Sequence, residues 1–171
     1  MKKTKFYFFF LFILFFTKVA SACNLKFSNF GSTPESLKLV ENNNFPSFPN
    51  QFGGSIQIIP INFLCSRENE LLGTVVNFHY YKNQLIKIEI SKLSFESKPL
   101  LDKAENQFGK FKRTLALEKK DWFGQHIWKS GDDIILYSAS KRQSGYLEKV
   151  IIESEKYSNL ASEYYQKLDK R

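Results

Sequence analysis

GTVVNFHYYKNQLIKIEI, residues 73–90, alternates apolar and polar side chains twice over, with a break in the middle. Val76, Phe78 and Tyr80 share one side of an extended segment. Lys82-Asn83-Gln84 interrupts the alternation, and Ile86, Ile88 and Ile90 resume it with Lys87 and Glu89 between them. A period of two that stops and restarts across a polar turn is the pattern of a β-hairpin with one dry face and one wet face. A lone two-stranded hairpin is marginal in water, so its dry face requires further strands or a helix laid against it.

Upstream, Ser55 to Cys65 reads as a strand apolar on both sides, and Pro60, which lacks a ladder donor, places it at a sheet edge or bulge. Gly53-Gly54 before it lacks the lysine and following helix of a phosphate loop. Still earlier, Gly31-Ser32-Thr33-Pro34-Glu35 is a helix start: Thr33 as N-cap, Pro34 at the first position and Glu35 at the positive end of the dipole. Leu37 and Val40 would be its buried side, and Asn42-Asn43-Asn44 its stop. Downstream, Leu100, Ala104, Phe108 and Phe111 form a helical stripe begun by Pro99 and ended by Gly109. Strand patterns return at His126-Ile127-Trp128, at Ile134 to Tyr137 and at Leu147 to Glu153, and Leu160, Tyr164 and Leu168 predict a closing helix.

The expected class is therefore α+β, an antiparallel sheet packed by short helices. Two pseudo-repeated units of a helix and about three strands are expected, spanning about 23–95 and 96–171, within one domain covering 23–171. Each unit ends in an isoleucine-rich strand, Ile86 to Ile90 in one and Lys149 to Glu153 in the other. This order resembles the helix-then-strands units of the β-lactamase inhibitor proteins, and the Gly31-to-Glu35 opening resembles the SmpA/OmlA outer-membrane assembly lipoproteins. The resemblance implies a small exported tandem fold and assigns no functional residue.

Residues 1–22 read as a cleaved export signal. Lys2, Lys3 and Lys5 precede an apolar run from Phe6 to Phe16, which is short of the roughly 20 residues needed to cross a bilayer, and Ala20-Ser21-Ala22 supplies small residues for cleavage. The expected location is periplasmic or secreted. Two chemistries are open to Cys23: a disulfide with Cys65, the usual fate of an exported pair, or lipidation at a first mature cysteine. The bridge would close a loop of about 42 residues, worth roughly 3–4 kcal/mol on the chain-entropy account.

Charge and motifs narrow the function. The chain has 25 bases, 17 acids and a formal charge of +8, but four of the lysines lie in the signal, which leaves 21 bases and +4. That excess is scattered, so no nucleic-acid partner is expected. There is no Gly-x-Ser-x-Gly, and His79 and His126 stand 47 residues apart with no metal-ligand spacing, so no metal and no cofactor are expected. His79 reads as a partly exposed strand histidine. The expected role is a non-enzymatic binding module for a protein, peptide or glycan of the cell envelope, touching membrane only if Cys23 is lipidated or the signal is retained. Phe45 and Phe48 in one loop, and Trp122, Phe123 and Trp128 between the halves, are the candidate partner-binding side chains, with core packing the competing use for these rings. A lipid-anchored envelope scaffold is the first alternative. The second is a hydrolase using scattered carboxylates such as Glu118 and Asp132.

Overall fold

The hairpin is the centre of a seven-stranded sheet. The computed structural model describes residues 23–39, 43–65, 69–95, 98–110 and 123–169. Its strands are β1 (Ser47–Pro49), β2 (Gly54–Pro60), β3 (Val75–Tyr81), β4 (Gln84–Ser94), β5 (Gly124–Ser130), β6 (Asp133–Arg142) and β7 (Gly145–Ser154), with helices α1 (Pro99–Phe108) and α2 (Ser158–Leu168). Every pairing is antiparallel and the spatial order is β1-β2-β3-β4-β7-β6-β5. A four-strand meander, β1 to β4, and a three-strand meander, β5 to β7, thus meet through their last strands.

The β3–β4 turn is tighter than expected. Only Lys82 and Asn83 lie in it, with φ of 50° and 60°, the doubly positive backbone that matches the twist of flanking strands. Gln84 already pairs with Tyr81. The register then slips: Tyr80 pairs Leu85, whereas His79 pairs Lys87, leaving Ile86 as the extra residue of a bulge. Ile86 therefore does not share the face of Ile88 and Ile90. Leu85 joins those two in the main core, and Ile86 packs on the other face with Tyr81 and Tyr164.

Two other elements are shorter than their sequence patterns. The helix expected from Pro34 is a single 3-10 turn, Pro34–Ser36, in which Thr33 makes no side-chain capping bond. Leu37 and Leu39 still pack on the core, in extended chain; Val40 lies outside the described residues. The expected strand 55–65 stops at Pro60, whose fixed φ leads into a 3-10 turn at Ile61–Phe63. Pro60 does stand at an edge, because β1 covers β2 only from Ser55 to Gln57. α1 ends at Phe108, with Gly109 at a φ of 87° behind it; Phe111 lies outside the described residues.

One face of the sheet carries the main core. Val76, Phe78, Ile88, Ile90, Ile135, Tyr137, Val150 and Ile152 meet Leu100, Leu101 and Ala104 of α1 and Leu25 of the N-terminal segment. Cys23 and Cys65 are joined as a disulfide with a Cα–Cα distance of 5.6 Å, tying that segment to the end of β2. The opposite face is covered at one end by α2, whose Ala161 and Tyr164 lie on Tyr81 and Ile86. Two glycines shape seats for rings from this last segment. A Cβ on Gly31 (φ +82°) would fall 2.1 Å from the Tyr157 hydroxyl, and one on Gly54 would fall 2.6 Å from the Tyr164 ring.

Within the main core lies one completely buried acid, Glu148. Its carboxylate accepts from Tyr137 Oη (3.0 Å), Ser94 Oγ (2.9 Å) and the backbone N–H groups of Leu101 (3.3 Å) and Leu100 (3.5 Å). The two amides lie in the first turn of α1; the Leu101 N–H also reaches the Lys98 carbonyl at 3.1 Å, and Lys98 at the N-cap makes no side-chain capping bond. Glu148 therefore caps α1 from a strand 47–48 residues along the chain. Burial pushes its carboxyl above the ordinary value, against the pull of the four donors. Glu148→Ala takes the acceptor away from four buried donors, an expected loss of about 3 kcal/mol or more in urea unfolding. Glu148→Gln keeps an acceptor without the buried charge and is expected to lose less than half as much.

Candidate functional site on the open sheet face

Alternation along each strand places one set of side chains away from the main core, and the register lines them up in rows. One row runs Phe48, Ile56, His79, Lys87, Glu153, Ile134, Lys129 from edge to edge. The next runs Ile58, Asn77, Glu89, Ile151, Leu136, Ile127, and a third includes Val75, Ser91, Lys149, Ser138 and Gln125. Helix α2 lies over β3 and β4 at the Tyr81 end only. Phe48, Ile58, Val75, Leu93 and Ile127, each between 36% and 59% exposed, all stand on this one face. Half-buried Ile56, Ile134, Leu136, Leu147 and Ile151 fill the surface between them. Leu93 continues into an open groove of about 680 Å³, lined also by Leu72, Phe95 and Pro99 with Glu70, Lys92 and Asp102.

The centre of the face is polar. Lys149 Nζ is 2.7 Å from Glu89 Oε1, and both His79 Nε2 and Lys87 Nζ are 3.9 Å from Glu89 Oε2. From α2, Tyr165 donates to Glu153 at 2.6 Å and its ring lies 5.5 Å from the Lys87 ammonium. Burial acts upward on the Glu89 carboxyl, but the hydrogen bond and charge of Lys149, with Lys87 behind it, hold it below its usual range. Lys87 is lowered by burial in spite of Glu89 and Glu153. The Tyr165 hydroxyl is raised by burial and by its bond to Glu153. The expected partly exposed histidine is instead largely buried: the His79 side chain is 12% exposed. Burial, reinforced by Lys87, brings it from 6.5 down to about 4. Its Nε2 and the neighbouring Asn77 Oδ1 make no hydrogen bond among the described residues.

The five candidate aromatic side chains do not form one site. Phe45 packs on the core with its ring 5.0 Å from Phe63, and its carbonyl accepts from Gln57. Phe48 is exposed on the open face at the β1 edge. Trp128 belongs to the opposite side of β5, packed against the main core and 6.0 Å from the His126 ring. Phe123 is exposed beside the start of β5. Trp122 and Glu118 lie outside the described residues. Asp132 sits in the β5–β6 turn, its carbonyl accepting from the Glu155 amide. The aliphatic members of the face, Ile58, Val75, Leu93 and Ile127, were missed by sequence reasoning; the signal was there in strand alternation, but not which alternate would be left uncovered. Among the described residues, no three His, Cys, Asp or Glu side chains gather as a metal site. Comparison with family models, curated proteins and solved structures finds no match.

The polar centre makes the fold acid-sensitive in a definable window. His79 titrates at about 4 in the fold and near 6.5 unfolded, so neutral His79 is favoured by folding. Its contribution is complete above pH 6.5, declines as pH falls from there, and is gone below 4. The shift corresponds to roughly 3 kcal/mol. Urea unfolding at pH 7, 5.5 and 4.5 is expected to show this decline in the wild type and a flatter profile in His79→Gln.

Proposed function

We propose that this chain is an exported, non-enzymatic binding module that takes its partner on the open sheet face. The observation that carries this reading is the gathering of five exposed apolar side chains, Phe48, Ile58, Val75, Leu93 and Ile127, on one side of one sheet. Exposed apolar side chains concentrated on one face, here around a polar centre, mark an interaction site rather than a solvated face. Aliphatic groups flanking a fixed cluster of charges fit a protein or peptide partner: the apolar rim supplies desolvation, and Glu89, Lys149 and Lys87 supply orientation.

Export is supported by the basic start, apolar run and Ala20-Ser21-Ala22 of the first 22 residues, together with a disulfide, which persists in oxidising compartments. The bridge also weighs against the lipid-anchored alternative, because the Cys23 sulfur cannot join Cys65 and carry a diacylglycerol thioether at once. Mass spectrometry of the mature protein separates the two: the bridged form gains two hydrogens on reduction, and the anchored form carries the mass of its acyl chains. The two meanders, each followed by a helix, support descent of the halves from one repeated unit, with the turn at Pro34–Ser36 standing where the first unit's leading helix would be.

A photo-crosslinking residue tests the face in expressing cells. Placed at 58, 75 or 93 of the full chain, it is expected to give a discrete adduct that is absent from the exposed positions Glu35 and Gln166. Ile58→Asp is expected to reduce the adduct at position 75. Adducts of equal strength at the control positions, or none on the face, would overturn the reading.

A further inference from the structure

The two edges of the sheet are treated differently. Three of the chain's five prolines, Pro46, Pro49 and Pro60, lie along the β1–β2 edge, and β1 is only three residues long. Short strands and prolines are the usual protection against edge-to-edge pairing. The other edge, β5, runs seven residues, GQHIWKS, without a proline. It pairs with β6 on one side, and among the described residues no strand lies on the other.

The backbone geometry of that edge follows from its turn. A two-residue loop, Gly131-Asp132, closes on the pair Ser130–Asp133, so Ser130 exchanges hydrogen bonds with Asp133 and alternate residues back along β5 do the same with β6. Trp128, His126 and Gly124 therefore turn their peptide groups inward. Gln125, Ile127 and Lys129 turn theirs outward.

We propose that β5 is a homodimer seam, pairing antiparallel with β5 of a second copy about a twofold axis at Ile127. The sequence is self-complementary in that register. Ile127, the midpoint of the strand and 59% exposed, meets Ile127 of the other copy. Trp128 meets His126, an aromatic pair made twice. Lys129 meets the neutral Gln125 rather than another lysine, and its charge is already matched by Glu155 at 2.9 Å. Each outward pair, 127 with 127 and 125 with 129 in both directions, exchanges two backbone hydrogen bonds. Centring the axis on Trp128 instead would set Lys129 against Ile127, and centring it on His126 would leave Lys129 and Ser130 beyond the paired strand. The symmetry is isologous and closed, so assembly stops at two. A strand-to-strand contact is at the small end of interface sizes, and a micromolar dissociation constant is expected.

Sedimentation of the purified bridged protein from about 1 to 100 µM should show a monomer–dimer equilibrium. Ile127→Pro removes only an outward donor, so it should keep the wild-type circular dichroism and sediment as monomer. Should that variant fold poorly, Ile127→Lys sets two like charges opposite each other and should raise the dissociation constant at least tenfold. Under mild oxidation Ile127→Cys should form a covalent dimer, with residues 127 at a separation a disulfide can span. Ile58→Cys, exposed on β2, should not. A protein that stays monomeric across the range without crosslinking at 127, or a dimer untouched by both 127 variants, overturns the proposal; so does a monomer that adds a foreign peptide at β5. Failure here is separable from failure of the open-face reading, because Ile58→Asp acts on β2 and should leave this dimer intact.

Discussion

The pairing of β4 with β7 is the constraint on which the rest of the architecture depends. Eight residues of β4, Lys87 to Ser94, run against Glu153 to Tyr146 of β7, and this is the one ladder joining the two meanders. Glu148 sits on that ladder and reaches Ser94 on β4, Tyr137 on β6 and the first amides of α1. A buried carboxylate is costly by itself, and here the cost is offset by the two hydroxyls and two backbone amides that converge on it. A leucine at this position could fill the volume but could not fix where α1 begins. The acid thus gives up some stability in exchange for a unique register between the halves.

The opposite face follows a different logic. Its centre holds His79, Lys87, Glu89 and Lys149 under partial cover, while its aliphatic groups stand toward the periphery. The charges at the centre break up what would otherwise be a continuous exposed aliphatic surface. Helix α2 sets the border of this surface. Tyr164 and Tyr165 bury one end of it through Tyr81, Ile86 and Glu153, and leave the remainder to solvent.

Legibility in the sequence followed the range of the interaction concerned. The hairpin, α1, α2, the disulfide and the strands of the second half rest on periodicity, prolines, glycines and cysteine count, all local signals. Ile86 did not, because a one-residue bulge reverses the side of everything before it and nothing in Leu85-Ile86-Lys87 announces the slip. The Pro34 turn carried a helix's opening residues, yet nothing in the following Leu37-Lys38-Leu39 outweighed packing in an extended path along the core. Glu148 was indistinguishable from any strand glutamate, since the amides it caps are 47 and 48 residues distant in sequence. The open face was not legible: Ser55 to Cys65 is apolar on both sides, and only the placement of α2 determines which side of the sheet stays bare.

Gly31 and Gly54 add a consequence in time. Both are seats with no occupant until Tyr157 and Tyr164 arrive, and those rings come from the segment that follows β7. Asn50 is likewise held ready for the Tyr164 hydroxyl, 2.6 Å away in the finished fold. β2, β3 and β4 can therefore pair with one another first, but their outer surface closes only when the segment carrying Tyr157 and Tyr164 docks on it.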